Sequence, residues 1–236
     1  MNLLLFDDLR VDDAGRLAVT GRQLRHLIGT LKPALGDSIR IGRIDGKLGT
    51  GVVVSLSSEK AILEVHLDRE PPSAPALKLI LALPRPKVLG RILQAVAALG
   101  IKELYLINSY RVEKSYWQTP RLRDEAIREA LWLGLEQGCD TGMPRVYQHK
   151  LFRPFAEDQL PALAAGSLAL VAHPLAAESC PRRPGQAITL AIGPEGGFIH
   201  YEINKLAEAG FSPVTLGPRI LRVETALPFL LGRLCP

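Results

Sequence analysis

The chain has 236 residues, 47% of them apolar and 22% charged, with a net charge of +5 and a pI near 9.2. This balance excludes a disordered chain and a membrane-spanning one, and it leaves room for one large core or two modest ones. The excess of base favours a polyanionic partner, and nucleic acid is the obvious class.

Three cysteines, Cys139, Cys180 and Cys235, are odd in number and lack ligand spacing. They argue against a disulfide framework or a metal site and fit a reducing compartment. The apolar run near Leu3, Leu4 and Leu5 is short and lacks a basic segment before it, so a cytoplasmic protein without a signal peptide is expected.

Residues 1–70 read as a compact β-rich unit. A short strand is expected at 3–6, and 37–44 alternates around Ile39 and Ile41. Asp45-Gly46 supplies a turn before 50–56, and a last strand covers 60–67. Several short strands with turn signals suggest a small barrel. One helical piece interrupts at 21–31, with Leu24, Leu27, Ile28 and Leu31 on one face and Arg22 and Arg25 on another. With Lys32, these bases form either a solvated surface or an RNA-contacting one.

Residues 68–76 hold three prolines and no periodicity, which is how a linker reads. The domains are accordingly 1–70 and 77–236, with 71–76 between them. Beyond the linker, strands alternate with helices, the pattern of a parallel α/β sheet. An apolar strand at 77–83 leads into a helix carrying Val88, Leu89, Ile92, Leu93, Val96 and Leu99, stopped by Gly100. A strand follows at 103–107. The next segment, Tyr110 to Trp117, interleaves Arg111 and Lys114 with aromatics, a composition suited to stacking on unpaired bases and meeting phosphates. A helix at 121–137 turns Ile127, Ala130, Leu131 and Leu135 inward. A buried strand at 168–172 ends at His173-Pro174.

Two loops close the chain's argument. One is Ile192-Gly193-Pro194-Glu195-Gly196-Gly197-Phe198; the other is Leu216-Gly217-Pro218-Arg219-Ile220-Leu221-Arg222-Val223-Glu224-Thr225-Ala226. Each follows an apolar, β-branched run, breaks at Gly-Pro and precedes a helix, at 201–210 and 223–234. Two such units in series build a ligand crevice at the carboxyl ends of parallel strands. Neither loop matches a dinucleotide fingerprint or a P-loop, which disfavours a plain phosphate cradle.

This pair of motifs resembles the RsmE family of SPOUT methyltransferases, which methylate N3 of a uridine in 16S ribosomal RNA with S-adenosylmethionine. Ala98-Leu99-Gly100-Ile101, Glu136-Gln137, Pro144 and Ala172-His173-Pro174 fall in the family's order, so the resemblance spans most of 20–230. It implies an α/β domain with a deep trefoil knot, a small PUA-like N-terminal β-barrel, and a homodimer joined through the knotted domain. The implied partner is 16S ribosomal RNA, free or in the 30S subunit.

The resemblance also assigns residues. His173, Pro174, Ile192, Gly193, Pro194, Gly196, Gly197, Leu216, Gly217, Ile220, Leu221 and Arg222 would enclose S-adenosylmethionine. Arg219, Arg222, Glu195 and Thr225 would hold the base and manage its proton, with an ion pair from either arginine to Glu195 or Glu224 as the structural alternative. Arg22, Arg25, Lys32, Arg111 and Lys114 would meet RNA.

Four positions depart from the family pattern. Ala98 stands where a Glu is usual, Asp140 where a cation is usual, Lys32 where an arginine is usual, and Ile199 where Ser or Thr would cap a helix, leaving His200 as the substitute cap. The donor side is therefore expected intact and the substrate side altered. A SPOUT enzyme acting on another nucleotide or a ribose hydroxyl, and an RNA-binding relative without turnover, remain the alternatives.

Overall fold

Alternating strands with one solvated face, then near-continuous apolar strands, build two different sheets, and residues 2–235 are described in the computed structural model. Met1 and Pro236, the outer ends of the two expected domains, lie outside the described residues. The first sheet has the order β1-β3-β4-β5-β2, from Leu4–Phe6 (β1), Arg16–Val19 (β2), Ser38–Arg43 (β3), Leu48–Leu56 (β4) and Ala61–Arg69 (β5). Its pairs are antiparallel except β1 with β3. The helix Gly21–His26 (α1) and a wide helical turn, Leu27–Leu31, cover a core of Leu4, Phe6, Leu17, Val19, Leu24, Leu27, Ile41 and Leu63. Gly49 permits the β4–β5 crossing, because a Cβ there would meet the His66 carbonyl.

The second sheet is entirely parallel, in the order β11-β9-β10-β6-β7-β8. Its strands are Leu77–Ala82 (β6), Glu103–Ile107 (β7), Arg145–His149 (β8), Leu168–Ala172 (β9), Ile188–Ile192 (β10) and Ser212–Val214 (β11). The helices are Pro86–Ala98 (α2), Asp124–Gly138 (α3), Phe152–Pro154 (α4), Leu160–Ala164 (α5), His200–Glu208 (α6) and Val223–Leu234 (α7). Central β10 is buried at every residue, as a strand covered on both faces must be. Glycine sets how closely α2 and α3 approach: a Cβ on Gly134 would fall 2.3 Å from the Gln94 carbonyl, and one on Gly138 2.7 Å from that of Ala98.

Several expectations need correction. The strands β2 and β8 and the helical segments of 152–164 are absent from the sequence reading. The strand β2 is four residues of weak alternation, and β8 is a polar edge strand exposed or half-buried throughout. The strand β5 runs through Asp68 and Arg69, so the linker is shorter than its composition suggests. Leu99 is 42% exposed, because it caps α2 after the helical face has ended. The third helix starts at Asp124; Pro120–Leu122 makes a separate 3-10 turn, fixed by Thr119 and Pro120. His200 does not cap α6. That task falls to Glu202, whose Oε2 accepts from the Ile199 N–H at 2.9 Å.

The two sheets meet along the amino edge of the parallel one. Glu136, 1% exposed near the end of α3, accepts from Arg22 Nη2 (2.6 Å), Gln23 Nε2 (2.7 Å) and Trp132 Nε1 (3.3 Å). The Asp45-Gly46 turn docks on 141–143: Asp45 N–H donates to the Thr141 carbonyl at 2.9 Å, and Met143 N–H to Asp45 Oδ1 at 2.7 Å. Asp140 is 4% exposed and pairs with Lys102 Nζ at 2.5 Å, while Lys102 also donates to the Gly142 carbonyl. Asp140 and Ala98 therefore belong to structural packing at this edge, away from the carboxyl ends of the strands.

Candidate active site

At the carboxyl edge, β9, β10 and β11 end side by side: Ala172 is paired with both Ile192 and Val214. The chain leaves each strand in a loop, and the three loops enclose a cavity of about 210 Å³. From β9 come Ala172, His173 and Pro174; from β10 come Ile192 through Gly197; from β11 come Val214, Thr215 and Leu216. Arg219, Ile220, Leu221, Val223 and Ala226 close it from the segment leading into α7.

The sequence explains each wall. The 193–197 turn is closed by Gly197 N–H donating to the Pro194 carbonyl at 2.8 Å, with Gly197 at φ +75°. Gly193 lies against the Phe198 ring and amide, both 3.1 Å from where a Cβ would stand, so the loop cannot open inward there. Gly217 sits at φ +115°, and Thr215 Oγ1 accepts from its N–H at 3.2 Å while donating to the Gly217 carbonyl at 3.1 Å. His173 N–H donates to the Val214 carbonyl at 2.9 Å, which ties the first loop to the third.

Arginines from outside the two motifs contact the wall of this cavity. Glu195 Oε1 receives the Arg85 N–H at 3.4 Å and stands 3.8 Å from the Arg85 Nε. The Arg111 guanidinium donates to the Gly196 carbonyl, and its stem lies where a Cβ on Gly196 would fall. Buried Glu202 holds the segment that carries Arg111, accepting from Tyr110 N–H at 2.7 Å and Ser109 Oγ at 3.0 Å. Burial and the hydrogen bond to Glu113 push the Tyr116 phenol up from its ordinary value.

The candidate residues divide. His173, Pro174, Ile192, Gly193, Pro194, Glu195, Gly196, Gly197, Leu216, Arg219, Ile220 and Leu221 line the cavity. Gly217, Arg222 and Thr225 do not; Arg222 and Thr225 stand exposed at the start of α7, where the Arg222 carbonyl accepts from Thr225 N–H at 2.9 Å. Among the described residues neither Arg219 nor Arg222 pairs with Glu195 or Glu224, since Glu195 takes Arg85 instead. Arg111 and Lys114 lie on the carboxyl side. Arg22 is engaged with Glu136 on the amino side, and Arg25 and Lys32 are exposed on the same helical segment. Arg85 is a neighbour of the cavity wall that the sequence alone does not single out; the register Leu81 opposite Ile192 is what brings it to Glu195.

Among the described residues, no three His, Cys, Asp or Glu side chains converge as metal ligands, and no helix is long and apolar enough to cross a membrane.

Known proteins with this arrangement agree in kind. The RNA methyltransferase domain family matches residues 71–235. A ribosomal RNA small subunit methyltransferase E of Treponema pallidum is 29% identical over 233 residues, covering 96% of this chain and 87% of that one. Its Bacillus subtilis counterpart is 26% identical, covering 92% and 88%. The crystal structure of a ribosomal RNA small subunit methyltransferase E from Neisseria gonorrhoeae, bound to S-adenosyl methionine, superposes with a TM-score of 0.74 at 25% identity, covering 96% and 93%. The resemblance read from the two loops is thereby borne out, and the chain belongs to the RNA methyltransferase domain family.

Proposed function

We infer that this chain is an S-adenosylmethionine-dependent methyltransferase acting on N3 of a uridine in 16S ribosomal RNA. The observation that carries the reading is the convergence of three loops on one cavity at the carboxyl ends of β9, β10 and β11, in a chain of the RNA methyltransferase family. The names of the Treponema and Bacillus relatives and the ligand of the Neisseria structure supply substrate and donor.

The residues fit that donor. Apolar Ala172, Ile192, Leu216, Leu221 and Ala226 offer a slot for a flat adenine, and the glycine turns bring backbone polar groups within reach of its edge. S-adenosylmethionine carries an already activated methyl group, so the protein's work is alignment and management of the acceptor. Arg219, at the rim, is assigned to the uracil carbonyl oxygens, where negative charge develops as N3 loses its proton. Glu195, oriented by the Arg85 N–H, is assigned to receive that proton or to position a cation. Arg222 and Thr225 flank the cavity mouth and are assigned to the target nucleotide.

The wider reading has four parts. Residues 1–70 form a PUA-like RNA-binding barrel, 71–76 a linker and 77–236 a knotted SPOUT domain; the two separate sheets and cores support this division. Arg22, Arg25, Lys32, Arg111 and Lys114 are assigned to RNA. The protein is assigned as a homodimer joined through the second domain, as its resemblance to the family implies. It works in the cytoplasm, where ribosomal RNA, free or in the 30S subunit, is available.

Calorimetric titration with S-adenosylmethionine and its demethylated product tests the core of this reading. Binding of both is expected, followed by loss of one methyl group on 16S RNA in a deletion strain. A folded protein that binds neither molecule would leave the RNA-binding relative as the better account.

A further inference from the structure

The loops after β6 and β10 leave neighbouring strands in register, which puts Pro84-Arg85-Pro86-Lys87 beside Gly193-Pro194-Glu195. The helix α2 therefore begins at the lip of the cavity. Arg85 stands at its N-cap, and its first half carries Lys87 and Arg91 and no acid. Lys87, Gly90 and Arg91 fall at i, i+3 and i+4, one face of the helix.

Another cation joins them from elsewhere in the chain. Gly90 has no side chain, and Arg121 Nη1 lies 3.6 Å from where its Cβ would stand. The guanidinium thus rests over Gly90, on the face that carries Lys87 and Arg91. The turn that delivers it, residues 119–123, also contains Arg123 and no acid.

Lys87, Arg91, Arg121 and Arg123 are all exposed, and none has an ion pair among the described residues; Arg85 alone is paired, with Glu195. The next acids in sequence, Asp124 and Glu125, open α3 and pair with none of them. Clustered like charges at helical spacing oppose folding. Exposed and unneutralised, they also build a local positive potential that draws anions toward the cavity.

We propose that Lys87, Arg91 and Arg121, with Arg85 at the cavity end, form a phosphate track that grips the RNA strand flanking the target nucleotide. From Arg85 to Arg91 the helix rises about 9 Å, long enough to meet more than one phosphate of an extended strand. Half-buried Tyr116, close enough to Arg85 and Glu195 for their charges to act on its phenol, offers a ring on which a flanking base stacks. The track rests on the proposed reading of the cavity as a methyl-transfer site, and it adds a docking surface that neither C-terminal motif contains.

The test compares wild type with Lys87→Gln/Arg91→Gln/Arg121→Gln, which removes the charges and keeps a flexible polar side chain of high helix propensity. Binding of 16S RNA transcript and of 30S subunits is measured across a salt series, alongside S-adenosylmethionine affinity. The expected result is RNA affinity at least tenfold weaker, with a salt slope shallower by about 0.7 for each phosphate that is no longer neutralised. Donor affinity is unchanged, and Arg121→Lys restores part of the loss. If the triple variant is unfolded, Arg121→Gln alone, outside any α-helix, gives the same reading at a third of the slope change. Unchanged RNA affinity and slope overturn the track. So does a loss confined to 30S subunits, which would assign the face to a ribosomal protein. Failure of wild type to bind S-adenosylmethionine, with the RNA loss intact, instead overturns the methyl-transfer reading and leaves the track standing.

Discussion

The two edges of the parallel sheet handle charge in opposite ways. At the amino edge, Glu136 and Asp140 are 1% and 4% exposed, and each is matched by a cation at 2.6 and 2.5 Å. At the carboxyl edge Lys87, Arg91, Arg121 and Arg222 are exposed and unpaired among the described residues. Buried, paired charge fixes how two units sit together; exposed, unpaired charge waits for a partner the chain does not contain. The difference teaches which departures from a family pattern matter. Asp140 alters packing at a seam, whereas a change at the open edge would alter what the protein binds.

The largest effect that separates the edges is expected at Glu136. Truncation to Ala removes the three hydrogen bonds that Glu136 accepts from Arg22, Gln23 and Trp132, a loss of about 3 kcal/mol even though Gln23 keeps the Leu5 carbonyl and Arg22 is half-exposed. For a chain of this size that lowers the melting temperature by roughly 6–12 °C. Thermal unfolding checks it, and donor binding by the remaining folded protein should be unaltered. A normal melting temperature would remove Glu136 from the seam's support.

Gly193→Trp is the counterpart at the carboxyl edge. Phe198 already stands 3.1 Å from the Cβ position, so an indole has to enter the cavity. S-adenosylmethionine affinity of the folded variant is expected to fall at least 100-fold, about 2.8 kcal/mol, while crowding of Phe198 costs about 1–3 kcal/mol of stability. Retained affinity would move the donor site elsewhere.

Much of this contrast was legible in the sequence. The strands β7 and β9 are read to the residue because each is a near-continuous apolar run, buried through its middle on both faces. The helix α7 is read equally well, from Val223 to Leu234, because an apolar stripe at helical spacing follows a Gly-Pro break. The two glycine loops are visible because tight turns need particular residues. What was hidden is whatever depends on register between distant segments. Nothing local says that Arg85 meets Glu195, that Arg121 crosses α2 at Gly90, or that Glu136 receives Arg22 from 114 positions away. The edge strand β8 was hidden for another reason: its partner lies on one side only, so its composition stays polar.

Asp140→Asn sharpens the comparison from the seam side. Lys102 keeps the Gly142 carbonyl and is partly open to water, so the loss is about 1–2 kcal/mol, less than for a fully buried pair. Methyl transfer by the folded variant is expected at the wild-type rate. A drop in turnover with unchanged stability would return Asp140 to the substrate side.

The smallest effect is expected at Lys32, where backbone and charge can be separated. It ends the Leu27–Leu31 turn in the left-handed region, φ +48°, and its N–H donates to the Leu27 carbonyl at 2.8 Å. A side chain in that conformation costs on the order of 1 kcal/mol, which glycine avoids, partly offset by glycine's greater freedom when unfolded. Lys32→Gly is therefore expected to raise stability by about 0.5 kcal/mol, while Lys32→Gln leaves stability unchanged because it keeps the strain and removes only the charge. If the exposed bases of α1 and its following turn touch RNA, both variants weaken RNA binding to the same small extent, because the ammonium is what both lose. Equal RNA affinity in wild type and both variants would leave Lys32 a helix terminator only, and the carboxyl edge would then carry the RNA contacts without it.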